Sequence, residues 1–416
     1  MVTAPVRPDR VQDLRELLAT MNSSPGVVDP MNALVPFGRF DSIHVARFVV
    51  ADDQTLDDRA AFGLTASERI PLIFLADCDG PGDETMARIA AEAGSGLRQI
   101  FAHCDDFDSR ADLLAWMRAR QTPPTAIYVN WIGRTVRQVR EEAALHEALR
   151  VALAGMTERN AQQLHGKLRA AVANGPRLTP VEPRTLGQWI AFILGIIGLL
   201  LLGLVLVIPT LLIAPFFLIA LRRAETTDPV IRKHANAAYT RAIAIDEDRD
   251  VTNPFSAIGS LKPGWLRLAI TVVALGLVGL SAIFLYNRGR LARVSTIHFA
   301  RWVLLDGNRR VFFASNYDGS LESYMDDFIN KVAFGLNVVF TNGVGYPRTR
   351  WLLLDGAKDE QKFKYFIRRH ELPTEVWYNA TPGLTAVEKE RNGRIRSGLE
   401  RPVMTDAEAR EWLRLL

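Results

Sequence analysis

Ser42-Ile43-His44-Val45-Ala46-Arg47-Phe48 returns later in the chain as Thr296-Ile297-His298-Phe299-Ala300-Arg301-Trp302. The shared pattern is Ile-His-x-Ala-Arg-aromatic. Leu72 to His103 then aligns without a gap on Val311 to Asn342, with identities at Phe74/Phe313, Asp79/Asp318, Gly80/Gly319, Met86/Met325, Gly96/Gly335, Leu97/Leu336 and Phe101/Phe340. A third stretch, Pro124-Thr125-Ala126-Ile127-Tyr128-Val129-Asn130, matches Pro373-Thr374-Glu375-Val376-Trp377-Tyr378-Asn379. Matches in the same order in both halves mark an internal duplication.

Each copy reads as alternating strands and helices. In the second, Thr296 to Leu305 and Arg310 to Ser315 read as strands joined through Asp306-Gly307-Asn308, a turn composition. Leu321 to Phe334 has helical apolar spacing behind a Ser320 N-cap. Leu336 to Thr341 and Trp351 to Leu354 are expected as strands, Asp359 to His370 as a helix and Glu375 to Tyr378 as the closing strand. The first copy predicts strands near 43–50, 72–76, 99–102 and 126–129, with helices near 84–93 and 110–120. The expected class is α+β, with helices on one face of a mostly antiparallel sheet. The repeats occupy 41–150 and 294–400. Around them lie an N-terminal segment 1–40, an amphipathic linker helix 151–186, a membrane region 187–290 and a C-terminal helix 401–416.

The membrane region holds two apolar segments. No charged residue occurs among the 33 residues from Trp189 to Leu221. As a helix this run is about 50 Å long, and a bilayer core needs only about 20 residues. The segment is read as a spanning helix to about Ile208, with the remainder, containing Pro209 and Pro215, tilted, kinked or re-entrant. The second segment, 268–286, is flanked by Trp265 and Arg267 and by Tyr286, Arg288 and Arg290, an interface pattern. Basic residues flank both segments on all sides, Arg184 and Arg232 among them, so charge bias does not set the topology. Paired copies must lie on one side of the membrane. With no export signal after Met1, the expected location is a bacterial inner membrane with the repeats facing the cytoplasm. The stretch Asn253 to Arg267 is expected to dip into the headgroup region or simply to lead into the second segment.

Composition excludes several classes. Lys and Arg total 50 against 46 Asp and Glu, a net charge of +4, too small for a nucleic-acid binder acting by bulk charge. Two cysteines, Cys78 and Cys104, exclude a disulfide scaffold and a Cys-rich zinc module. The chain contains no Walker loop, Gly-x-Gly-x-x-Gly, His-Glu-x-x-His or Gly-x-Ser-x-Gly.

The duplicated unit resembles the ferredoxin-like fold of the dimeric α+β barrel superfamily, which includes dye-decolourising peroxidases, chlorite dismutases and small monooxygenases. The resemblance covers about residues 40–150 and 294–400 and rests on element order and duplication. It implies two tandem ferredoxin-like repeats forming a pseudo-dimer, with a transmembrane helical insertion between them. The peroxidases' Gly-x-x-Asp-Gly fingerprint is absent, because Asp79-Gly80, Asp306-Gly307, Asp318-Gly319 and Asp355-Gly356 lack the preceding glycine.

His44 and His298 are the leading catalytic and cofactor-binding candidates. Alternation along a strand places His44 with Ala46 and Phe48, and His298 with Ala300 and Trp302, on a face expected to look between the paired sheets. Ile43, Val45 and Val49 would then pack under the helices. Two imidazoles with Phe48 and Trp302 would ligate haem or seat an apolar substrate; the alternative is a pair of hydrogen-bonded structural histidines. The second copy is richer in aromatics, with Phe312, Phe313, Tyr317, Tyr324, Phe328, Trp377 and Tyr378, and is expected to be the working half. Arg47 and Arg301 call for carboxylates, with Asp77, Asp79 and Asp318 as candidates. Asn316-Tyr317-Asp318-Gly319 with Glu322, Asp326 and Asp327 would hold a cation, do acid–base work or only favour a helix start. His103 and Cys104 lack further ligands nearby. The expected function is a membrane-anchored enzyme of peroxidase- or monooxygenase-like chemistry on an apolar or lipid-derived small molecule. The alternative is a non-catalytic membrane protein whose duplicated domain binds a lipid, ligand or partner protein.

Overall fold

The computed structural model describes residues 1–416 except 66–68, 176, 182–184, 232, 246, 287, 288 and 290. Arg184, Arg232, Arg288 and Arg290 therefore lie outside the described residues. The first half runs β1 (Val2–Val6), α1 (Val11–Ala19), β2 (Ile43–Val50), β3 (Ile70–Cys78), α2 (Gly82–Glu92), α3 (Gly94–Phe101), α4 (Leu113–Ala119) and β4 (Ala126–Val129). Helices α5 (Val136–Ala154), α6 (Ala161–Val172), α7 (Leu186–Thr227) and α8 (Ala237–Ala244) follow. The second half runs β5 (Thr252–Ser260), α9 (Trp265–Phe284), β6 (Ile297–Leu305), β7 (Arg310–Asp318), α10 (Leu321–Phe340), α11 (Glu360–His370) and β8 (Val376–Asn379). It ends in α12 (Ala386–Glu400) and α13 (Asp406–Leu413). The class is α+β with antiparallel sheets and one long apolar helix.

The two large sheets are ordered β1-β3-β2-β8 and β5-β7-β6-β4. Each half therefore supplies the last strand of the other's sheet. Val376 to Asn379 pairs with Phe48 to Val45, and Ala126 to Val129 pairs with Trp302 to Phe299. The sheets pack face to face. Val49, Ile73 and Leu75 of one meet Ile258, Val303, Phe312 and Ala314 of the other. Helices cover the outer faces, with Ala46, Phe48 and Phe74 under the first set and Ala300, Trp302 and Phe313 under the second. A separate helical core joins Leu145, Leu149 and Leu168 to Ile395, Leu399 and Trp412.

Several sequence expectations change. Residues 1–40 are not a separate segment, because Val2 to Val6 pairs along Phe74 to Ile70. Thr252 to Ser260 is not a lipid-facing loop but its counterpart, paired with Asp318 to Arg310. Its Gly, Ser and Pro content hid an edge strand, where weak alternation is tolerated. Residues 99–101 and 336–340 are helical rather than extended. Leu97, Ile100 and Phe101 are buried at helical spacing, as are Ile329, Val332 and Leu336, and that packing outweighs the β-branched run Val338-Val339. Trp351 to Leu354 forms no strand of its own; Thr349–Arg350 and Leu354–Asp355 pair across it. The third sequence match slips by one: Tyr128 corresponds to Tyr378, Gly133 to Gly383 and Thr135 to Thr385. Both glycines sit at positive φ, 86° and 76°, and both threonines close capping boxes at the starts of α5 and α12.

Helix α7 runs unbroken through Pro209 and Pro215. Each proline removes one hydrogen bond, and Leu-rich turns on either side carry the helix through. None of its most apolar window is buried, against 33% for α9. Helix α9 covers the second sheet, with Leu275 and Ala282 in that core and Val272, Val273, Leu277 and Ile283 outward. It corresponds to α1, and a sheet bound along one side makes it unlike a lipid-surrounded span. Both ends of α7 return to it. Phe192 and Phe284 have ring centroids 5.3 Å apart, and Asp228 accepts from Arg267 at 2.6 Å and pairs with Lys262 at 2.9 Å.

Candidate functional site

The register of β2 on β3 shifts between Ile43 and Val45, and that of β6 on β7 between Ile297 and Phe299. His44 and His298 are the extra residues of two equivalent β-bulges. A bulge resets the alternation, so Ile43 and Ala46 both pack under the helices, as do Ile297 and Ala300. The imidazoles turn to the inner side instead. The expected face is thus divided: the histidines do reach the space between the sheets, while Phe48 and Trp302 point away from it.

Each histidine meets an aspartate at the end of the neighbouring strand. His44 Nε2 lies 2.8 Å from Asp79 Oδ1, and His298 Nε2 lies 2.6 Å from Asp318 Oδ1. The second carboxylate oxygen accepts the first backbone N–H of a helix, Val136 for Asp79 at 3.0 Å and Ala386 for Asp318 at 2.7 Å. Helix N-termini favour such anions. Asp318 also accepts from the Thr252 hydroxyl at 2.9 Å. A carboxylate surrounded by donors leaves the proton on His298 Nε2, so Nδ1 is an acceptor. Lys389 Nζ lies 3.2 Å from that Nδ1.

His44, His298, Asp79 and Lys389 line one cavity of about 300 Å³, together with Asp77, Arg301, Arg134 and Glu390. Phe299, Ile127, Val129, Trp131 and Ile132 supply apolar wall, and the His44 and Phe299 rings lie 5.4 Å apart. Burial lowers the His298 pKa, and the neighbouring Lys389 charge adds to this. Burial also lowers Lys389 to about 8, against the attraction of Asp318 and with the repulsion of Arg134. Both effects favour a neutral imidazole beside an amine able to lose its proton near neutral pH.

The haem pocket read from the sequence is not assembled with its two aromatic residues. Both ring nitrogens of His298 are engaged, by Asp318 and by Lys389. Phe48 stacks on Phe74 at 4.7 Å in the first core, and Trp302 lies in the second core, 4.9 Å from Phe313. Neither lines the histidine cavity.

The other candidates find local partners. Arg301 pairs with Asp77 of the other half. Arg47 has no carboxylate in contact among the described residues; it donates to the Phe255 and Ser315 carbonyls at 2.8 and 3.0 Å and to Ser256 Oγ at 3.1 Å. Asp79 and Asp318, expected as arginine partners, hold the histidines instead. Glu322 and Asp326 pair with Lys364, and Asp327 with Lys331. His103 bonds backbone carbonyls of its own helix, and burial pushes the Cys104 thiol up to about 12. Among the described residues no group of three or more His, Cys, Asp or Glu could hold a metal ion.

Sequence reasoning missed Lys389 and Thr252. Neither belongs to a motif, and Thr252 sits on the strand read as a loop. The identity Asp79/Asp318 was the visible signal for the histidines' partners. No family model matches the chain, and neither a curated protein nor a solved structure matches it.

Proposed function

We propose that the chain is a membrane-attached enzyme whose halves form a fused pair of ferredoxin-like units around one small-molecule site. Each half runs β-α-β-β, then three helices in the first half and two in the second, then a fourth strand lent to the other half; this order supports a ferredoxin-like reading with added helices. The convergence of His44, Asp79, His298 and Lys389 on one cavity carries this reading. The chemistry that suits the lining is proton transfer at a small, mostly apolar compound bearing a carbonyl. Neutral His298 serves as the base at Nδ1, and Asp318 stabilises the imidazolium that forms. Attachment to a bilayer is supported by α7, whose Leu200, Leu204, Leu211 and Phe216 are 67–75% exposed. The test is exchange of α-carbon hydrogens for deuterium, followed by NMR on a panel of cyclic and long-chain ketones and β-keto acids. Exchange above background that is lost in His298→Gln supports the reading; no exchange with any compound overturns it.

A second reading, binding of an apolar ligand without chemistry, is favoured by a second cavity. It has about 320 Å³ and is lined by Trp302, Phe313, Tyr324 and Phe328 beside Leu277 and Val278 of α9. The buried Trp302 Nε1 has no hydrogen-bond partner among the described residues. Mass spectrometry of lipid carried through purification, compared between the native chain and Ala300→Phe, tests it. Equal lipid content in the two proteins rejects that cavity.

A further inference from the structure

We propose that Lys389 is an amine nucleophile that forms a Schiff base with an aldehyde or ketone bound in the inter-sheet cavity. This rests on the proposed function only in using the same cavity and histidine.

The placement is specific. Lys389 lies in the first turn of α12, one turn beyond Ala386, whose N–H is held by Asp318. Its Nζ is 3.2 Å from His298 Nδ1, and His298 Nε2 is 2.6 Å from Asp318 Oδ1. Asp318, His298 and Lys389 thus form a hydrogen-bonded line that ends at an amine on the cavity wall.

The residue type is also informative. The chain has 8 lysines among its 50 basic residues, so arginine is its usual cation. The buried ion-pair positions, Arg59, Arg134, Arg301 and Arg396, follow that preference. Lys262, also buried, has the Asp228 carboxylate at 2.9 Å and the Thr341 carbonyl at 2.8 Å. Among the described residues, Lys389 has a hydrogen bond to a histidine nitrogen and no ion pair. An arginine there would keep its charge; a lysine can lose it. The one-residue shift of the third match places Val139 at the equivalent point of α5, so only the second half carries the amine.

The step balances without an oxidant or reductant. The free amine attacks the carbonyl carbon, and the C–N bond forms as the carbonyl π bond becomes an alkoxide. His298 Nδ1 takes the proton from nitrogen and returns it to oxygen. The product is a carbinolamine; His298 then relays the remaining N–H proton of the carbinolamine nitrogen to the hydroxyl, and the C–O bond breaks with loss of water, leaving a neutral C=N bond to Lys389.

The experiment uses the full chain in detergent with hexanal and sodium cyanoborohydride near neutral pH. Labelled lysines are identified by peptide mass spectrometry. Lys389 is expected to acquire the hexyl adduct roughly tenfold faster than exposed lysines, because its free-amine fraction is larger. His298→Gln should slow labelling at Lys389 and leave the other sites unchanged. Lys389→Arg, or Lys389→Met if the arginine variant does not fold, should remove the fast adduct. Labelling that follows exposure, with Lys389 slower than the exposed lysines in a folded protein, overturns the proposal. An adduct on Lys389 without hydrogen exchange would remove the proton-transfer reading alone, and exchange without an adduct would remove the nucleophile alone.

Discussion

Arg301 on β6 donates through Nε to Asp77 on β3 at 2.9 Å, a charge pair that ties one half of the chain to the other. Arg301 also reaches the Ala76 carbonyl, as Arg47 reaches the Ser315 carbonyl in the mirrored position. The symmetry stops at the carboxylate. Asn316 stands where Asp77 stands in the first half, and neither polar atom of its buried amide has a partner among the described residues. Arg47 is left with carbonyls, a hydroxyl and the Trp377 ring at 4.9 Å.

Asp77→Asn should therefore destabilise the protein by about 3 kcal/mol or more, since it strands a largely buried guanidinium. Asn316→Asp should do the reverse by giving Arg47 the missing carboxylate. Denaturant unfolding in detergent checks both; opposite shifts in midpoint are expected.

Glu225 near the end of α7 accepts the Thr349 hydroxyl and the N–H groups of Trp351 and Leu352 at 2.9–3.0 Å. Trp351 and Leu352 both sit at positive φ, 58° and 62°, a costly backbone for large side chains. Glu225→Ala should release that loop. Limited proteolysis should then cut near Trp351 well before the native chain is cut there.

Lys389 has a testable pH signature. Its folded pKa of about 8 lies below the ordinary lysine value, so the folded state binds fewer protons than the unfolded state between about 8 and 10.4. Stability should rise with pH through that window. Lys389→Met should raise the melting temperature at pH 7, by up to about 3 kcal/mol of stability. The gain should shrink as pH approaches 10. A pH-independent difference would mean that burial does not set this lysine's charge.

Carbonate washing should leave the chain in the membrane pellet, and deletion of 189–221 should release it. None of the most apolar window of α7 is buried by protein, so a native chain freed by carbonate would contradict bilayer attachment.

His298→Ala should lower ligand binding or turnover more than His44→Ala, because only His298 contacts the amine. A melting assay separates this from structure. Equal loss of stability with unchanged activity would make both histidines structural.

The α+β class and the equivalent placement of His44 and His298 were legible in the residues, because identities at Asp79/Asp318 and in the Ile-His-x-Ala-Arg pattern survive in both copies. Local patterns also placed α4 and α11 and the apolar run of α7, since helical spacing and uncharged length are short-range signals. The exchange of β4 and β8 was not legible, because a strand's side-chain period is the same whichever sheet receives it. The bulges at His44 and His298 were equally hidden. One inserted residue leaves the sequence pattern intact, yet reverses which neighbours share a face. Trp302 and Phe48 were therefore grouped with the histidines, and only the register of β6 on β7 and of β2 on β3 separated them. Lys389 reached the site through tertiary contact alone: α12 starts where Asp318 holds Ala386, and that single hydrogen bond sets a distant lysine beside His298.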